Sequence, residues 1–204
     1  MAPPDTGSPT LTLEDVRSYA EIAANLGVPL VDLTMPPPGG SPVCRDFKVG
    51  GELSTDHDRA GDWFCYGQSL CASVEIATRQ GCGVVLKMAP YSICATPDAF
   101  LRLAAEVGHS ASGANLNTGH QVLPRHDPAL SVLKLGGYIR RTHPKDSDGE
   151  PACCGGVDFA EVLASLRRIG HDGALAIEVG APIRPAPSCA MARAHTESVL
   201  WGRW

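Results

Sequence analysis

Polar side chains able to move protons or hold ions stand at the ends of otherwise apolar runs in this sequence. Asn117 and His120 lie at the end of GANLNTGHQ (113–121), His143 and Asp146 close YIRRTHPKD (138–146), and Glu178 interrupts ALAIEV (174–179). Histidine titrates nearest neutrality and carboxylates accept protons or ligate cations, so these residue types admit both acid–base and metal chemistry. A carboxylate inside an apolar run needs a partner once buried, which makes Glu178 the most informative of the set. Lys145 and Asp146 read either as a solvated pair at a strand end or as ligand contacts. His109, His126, His171 and His195 fall in loops or on helix surfaces and take no role.

The elements that must position these residues alternate. Thr12 with Asp15 three residues on forms a capping-box start, and Val16, Tyr19, Ala20 and Ala23 follow at helical spacing up to Gly27. VPLVDLT (28–34) is a strand. A helix over 62–79 carries Trp63, Leu70, Val74 and Ala77 as its buried stripe, and VVLKMA (84–89) follows as a strand. Thr96-Pro97 and Asp127-Pro128 each pair a cap with proline at the first helical position. The strands GANLN (113–117) and YIRRTH (138–143) accompany those two helices. Asp158 with Glu161 opens another helix as a capping box, Gly170 ends it, and ALAIEV is the fifth strand, before a helix over 188–201. Helix alternating with strand five times predicts a parallel sheet with right-handed crossovers. No phosphate-binding glycine motif follows any strand. The polar residues gather at the C-terminal strand ends, where (β/α) barrels keep their chemistry.

Composition narrows the classes further. The chain has 204 residues, 44% hydrophobic and 19% charged, which fits one globular α/β domain rather than a disordered chain. The net charge of −5, without a basic run, argues against nucleic-acid binding. No apolar run is long enough to span a bilayer, and the start MAPPDTGSPT does not resemble a signal peptide, so a cytoplasmic location is expected. Eight cysteines, at 44, 65, 71, 82, 94, 153, 154 and 189, include no C-x-x-C pair and read as free structural thiols. Residues 1–10 read as a disordered tail and 11–204 as the domain. The Pro- and Gly-rich segment 35–61 reads as a long loop able to cover a sheet edge, and the Trp201 and Trp204 tail as core or interface.

Four stretches, GANLNTGHQ, YIRRTHPKD, VDFAEVLASLRRIGHDG (157–173) and ALAIEV, resemble the xylose isomerase-like sugar isomerase and epimerase barrels in order and spacing. The resemblance covers about residues 11–200 and implies a partial (β/α) TIM-type barrel, with five βα units matching strands four to eight of the family. It implies a divalent metal (Mn, Mg, Co or Zn) at the barrel mouth, with His143, Glu178 and Asn117 at ligand positions. It also makes Glu178 a catalytic base and His120 a residue that orients a substrate oxygen. The implied reaction is metal-assisted proton transfer on a small keto-sugar, polyol or hydroxy acid. The alternative is a non-catalytic pseudoenzyme, a partner-binding subunit or a truncated remnant, with a homo- or hetero-oligomer completing the barrel. A nuclease relative of the same superfamily fits poorly, since such enzymes gather more histidines and carboxylates.

Two family positions depart from the pattern. Asn117 stands where the family has aspartate, and Ala89 where it has the first glutamate, at the end of VVLKMAP. Side chains two apart on a strand share a face. Lys87 therefore faces inward with Ala89, and Arg141 with His143. One reading follows: Lys87 or Arg141 supplies the positive charge of the lost metal. A Lys87→Glu variant is then expected to create affinity for Mn²⁺, measured by calorimetry; affinity equal to that of the wild type would count against it.

Overall fold

Thr12 caps the first helix, α1 (Leu13–Asn25), through a complete capping box in which its hydroxyl accepts from the Asp15 N–H and the Asp15 carboxylate accepts from Thr12. Those bonds satisfy N–H groups that a helix start otherwise leaves bare. In the computed structural model, residues 12–34, 59–90, 92, 94–122, 125–147, 151–152, 154–179 and 185–201 are described. The expected tail 1–10, most of the loop 35–61, Cys44, Cys153 and Trp204 lie outside them.

The chain continues as β1 (Leu30–Thr34), α2 (Arg59–Arg79), β2 (Gly83–Lys87), α3 (Pro97–Val107) and β3 (Ser112–Asn117). After these come α4 (Thr118–Val122), α5 (Pro128–Leu135), β4 (Ile139–His143), α6 (Phe159–Arg168), β5 (Ala174–Leu175) and α7 (Pro185–Trp201). All strand pairs are parallel and the order is β1-β2-β3-β4-β5, the sequential order of a partial barrel. The fifth strand is shorter than expected. Its ladder nevertheless runs on, because the Ala176 N–H donates to Thr142 O at 2.9 Å and the Glu178 N–H to Pro144 O at 3.2 Å. Among the described residues, no helix is long and apolar enough to cross a membrane.

The alternation of side chains sorts each strand into two faces. Val31, Leu33, Val84, Leu86, Ala114 and Leu116 join the helix-side core with Val74, Leu103, Val132 and Leu163. Asp32, Lys87, Asn115 and Asn117 are left on the other, inner face. At β4 strict alternation would put Ile139, Arg141 and His143 on one face. The register breaks it: Ala114 pairs with Ile139, while the next residue, Asn115, pairs with Arg141. Arg140 is the extra residue, and this bulge lets Ile139 enter the core while Arg141 and His143 turn inward.

Several local expectations need correction. Asp158 caps α6 by accepting from the Glu161 N–H, but no bond returns from Glu161, so only half a capping box forms. Trp201 is 73% exposed and is not core. Trp63 is only half-buried; it donates to Glu106 at 2.5 Å and lies under the Arg102 guanidinium. None of the six described cysteines is in a disulfide, and burial pushes the Cys94 thiol up to about 12, which suits a packing role rather than a nucleophile.

The short helix α4 packs so closely on the β4 exit that a Cβ at Gly119 would run into the Asp146 carbonyl. Gly119→Ala should therefore cost about 1–3 kcal/mol, a fall in midpoint of roughly 2–4 °C for each kcal/mol. Gly137→Ala, with nothing within 4 Å of its Cβ, should leave the melt unchanged. Thermal melts followed by circular dichroism decide it, and equal midpoints would refute the close approach.

Candidate functional site

At the C-terminal ends of the strands the inner faces converge on Glu178. Lys87 at the end of β2 donates from Nζ to Glu178 Oε2 at 2.6 Å, and Lys145, just past β4, donates to Oε1 at 2.8 Å. His143, the last residue of β4, places Nδ1 2.8 Å from Oε2. Burial alone would raise the Glu178 pKa. The bonds from His143, Lys145 and Lys87 outweigh it and hold the carboxyl well below the usual carboxylate range. Glu178 is therefore a firmly ionised group and a weak base.

A second carboxylate sits beside this cluster. Asp32 of β1 accepts from Asn115 Nδ2 at 2.6 Å, with His143 Nε2 at 3.6 Å and the Arg141 guanidinium at 3.7 Å from the same oxygen. Burial pushes the Asp32 carboxyl up, and His143 and Arg141 pull it back only in part. His143 thus lies between the two acids. Among the described residues, Asp32 Oδ1 and Asn115 Oδ1 are buried without a hydrogen-bond partner. Sequence reasoning missed both residues, although an aspartate inside the apolar run LVDLT gave the same signal that drew attention to Glu178.

The expected site residues come together in part. Glu178 and His143 are in direct contact. Asn117, fully buried, accepts from the His120 N–H at 3.1 Å and so acts as the cap of α4 (Thr118–Val122). Its oxygen is engaged, and only the Nδ2 donor is left unpartnered. His120 bonds the Met88 backbone and has an unpartnered, buried Nδ1. Burial first, and the Lys145 and Lys87 ammoniums second, push its pKa down to about 4, so the ring is neutral at pH 7. The reading of Lys145 and Asp146 as a solvated pair is corrected: Lys145 belongs to the Glu178 cluster. Asp146 is fully buried and accepts from the Ser147 and Val157 N–H groups.

This donor set does not fit the divalent metal that the resemblance implies. A dication needs several hard anionic oxygens. Here Ala89 offers none, the Asn117 oxygen caps a helix, and both Glu178 oxygens face ammonium groups. Among the described residues, no three His, Cys, Asp or Glu side chains are placed to share one ion. A separate cleft of about 500 Å³, lined by His109, Tyr138 and Arg140, opens near the N-terminal ends of the strands and holds none of these residues.

The xylose isomerase-like TIM barrel family model matches residues 1–198. Among solved structures, an L-ribulose 3-epimerase is similar with a TM-score of 0.74 and 18% identity, over 93% of this chain and 68% of that one. The 3-keto-D-glucoside 4-epimerase from E. coli, in its apo form, gives 0.73 and 17%, over 91% of this chain and 70% of that one. A xylose isomerase-like TIM barrel protein from Mycobacterium smegmatis, in complex with magnesium, gives 0.69 and 20%, over 92% and 66%. Likeness at these identities shows the fold. A search of curated proteins finds no match.

The neutral His120 sets a pH dependence. An unfolded histidine protonates near 6.5, whereas the folded ring does so only at about 4. Between those values the unfolded chain binds the extra proton, so stability falls as pH falls. His171, lowered mainly by burial, acts in the same direction. Between pH 6.5 and 5 the His120 share is about 1 kcal/mol once solvent screening of a half-buried ring is allowed for. The wild-type melting midpoint should drop over this interval and drop less in His120→Gln. Parallel drops would show that His120 titrates normally in the fold.

Proposed function

The chain belongs to the xylose isomerase-like TIM barrel family, and from that premise we propose that its mouth binds a small keto-sugar, polyol or hydroxy acid and moves a proton next to the carbonyl without a metal. The observation that carries this reading is the pair of ammonium groups, Lys87 and Lys145, on the two oxygens of Glu178. A lysine ammonium is a fixed positive charge that polarises a carbonyl or hydroxyl oxygen, the task a dication performs in metal-assisted proton transfer. The similar solved structures include epimerases of small sugars, which supports the substrate class.

The same contacts suggest how the base is switched on. While both lysines donate to it, Glu178 is too weakly basic to take a proton from carbon. A ligand oxygen that draws Lys87 or Lys145 to itself weakens that hold and returns basicity to the carboxylate. The proton on the carbon beside the carbonyl then passes to Glu178, and the developing oxygen charge rests on the ammonium. His120, neutral and with Nδ1 unpartnered, accepts a ligand hydroxyl. His143 holds Glu178 in place.

A second reading has its own support. Ala89 offers no opposing base, so two-base inversion of a carbon has only one of its carboxylates, and a protein that binds without turnover satisfies the same geometry. Incubation with D-allulose or L-ribulose in D₂O and EDTA, followed by proton NMR, separates the two. Loss of the proton signal beside the carbonyl is expected, with Lys87→Met slowing it about 10²-fold. Binding without exchange would favour the second reading. Exchange that needs added Mn²⁺ would overturn the metal-free mechanism, and neither binding nor exchange would overturn the reading of the mouth.

A further inference from the structure

Asn117 is held in one orientation by a bond that uses only half of its amide. Its Oδ1 accepts from the His120 N–H at 3.1 Å. An amide NH₂ group can only donate, so that contact fixes which branch of the side chain is oxygen and which is nitrogen. Nδ2 is the other branch. Among the described residues it has no hydrogen-bond partner, and Asn117 has no exposed surface. Aspartate and asparagine cap helices about equally well, so the cap does not require an amide. What asparagine adds at this position is a donor.

That donor belongs to a residue placed among the groups of the mouth. Asn117 pairs in register with His143, whose Nδ1 lies 2.8 Å from Glu178. The adjoining Thr118 accepts from the Lys145 N–H at 3.0 Å, which brings the exit of β3 against the residue whose ammonium reaches Glu178. Asn115, two residues earlier and on the same face, pairs with Lys87. A buried donor without a partner is costly, and an acceptor that arrives with a ligand removes the cost. An aspartate here would offer the mouth only acceptors and a negative charge, which opposes an oxyanion. An amide N–H stabilises one.

We propose that Asn117 is a catalytic residue of the proton transfer, donating from Nδ2 to the ligand's carbonyl oxygen as negative charge develops there. The proposal rests on the reading of the mouth as a metal-free proton-transfer site, and it adds a neutral donor to the lysine already assigned. When Glu178 takes the proton from the carbon beside the carbonyl, the C–H electron pair becomes a carbon–carbon double bond. The carbonyl π pair moves to oxygen, and the same proton returned to carbon restores the carbonyl. Nδ2 is covered in the unliganded chain, so the ligand oxygen reaches it as the side chains of the mouth move, the movement that frees Glu178 from its lysines. A donor kept from water acts at low local dielectric, where it is worth most.

Deuterium exchange into D-allulose and L-ribulose in EDTA, followed by proton NMR, tests it in Asn117→Asp and Asn117→Ser. Both variants keep an oxygen for the His120 N–H and lose the donor. The kcat for exchange should fall about 10²-fold or more, with KM changed far less, because the bond strengthens as charge develops. The thermal midpoint should stay that of the wild type. In the wild-type chain the side-chain amide signal of Asn117 should shift when either ketose binds, a readout that stands even if neither variant folds. Exchange at the wild-type rate in either variant, or an amide signal that stays in place on binding, would overturn the inference and leave Glu178 and the lysines in their roles. A loss of kcat matched by a loss of thermal midpoint would overturn it too, by assigning Asn117 to the cap alone. No exchange by the wild-type chain would overturn the broader reading of the mouth as catalytic, and this inference with it.

Discussion

Glu178 is the group on which the mouth of this protein depends. Its carboxylate gathers a lysine from β2, and a histidine and a second lysine from β4 and its exit, so one side chain ties together residues 91, 35 and 33 positions away in sequence. A half-buried carboxylate with this many donors is held ionised, and the donors are held in turn, because separating any of them leaves a charge short of both water and partner. The short fifth strand matters for the same reason. Glu178 lies past its last ladder pair, and the backbone bond to Pro144 keeps it at the level where Lys87 and His143 reach it.

The inner face that carries this cluster exists because of a parity decision. Alternation in β2 and β3 sends Leu86 and Leu116 to the helices and Lys87, Asn115 and Asn117 inward. In β4 the apolar residue that the core needs, Ile139, has the same parity as the residues that the site needs, Arg141 and His143. The extra residue at Arg140 resolves the conflict, at the cost of a break in the β3–β4 register. Core and site are thus built from the same strand by one irregularity, and a slip of one residue would exchange them.

Electrostatics then decides which chemistry the family scaffold can host in this chain. The position of one family glutamate holds alanine, the aspartate position holds an asparagine whose oxygen caps a helix, and the surviving glutamate is saturated by ammonium groups. Each change weakens a cation site, and Lys87 and Lys145 pair with the carboxylate that remains. Asp32, with an unpartnered oxygen and a pKa raised by burial, gives the mouth a second acid whose surroundings differ from those of Glu178.

The sequence by itself determined the alternation of helix and strand, the parallel sheet, the proline- and threonine-marked helix starts and the inward direction of Lys87, since these follow from local periodicity and capping chemistry. It also determined that Ala89 and Asn117 cannot supply the family carboxylates, because side-chain identity needs no coordinates. Only the tertiary structure decided what those inward residues meet. Lys145 and Asp146 are neighbours in sequence, yet one bonds Glu178 and the other accepts from the Ser147 and Val157 N–H groups. Asp32 and Asn115 joined the site through register across β1, β2 and β3, and the Arg140 bulge, invisible in composition or period, sent Ile139 to the core while Arg141 and His143 stayed inward. Contacts between strands depend on pairing register and on the balance of charges brought from distant parts of the chain. A single sequence carries that information only in the fold it adopts.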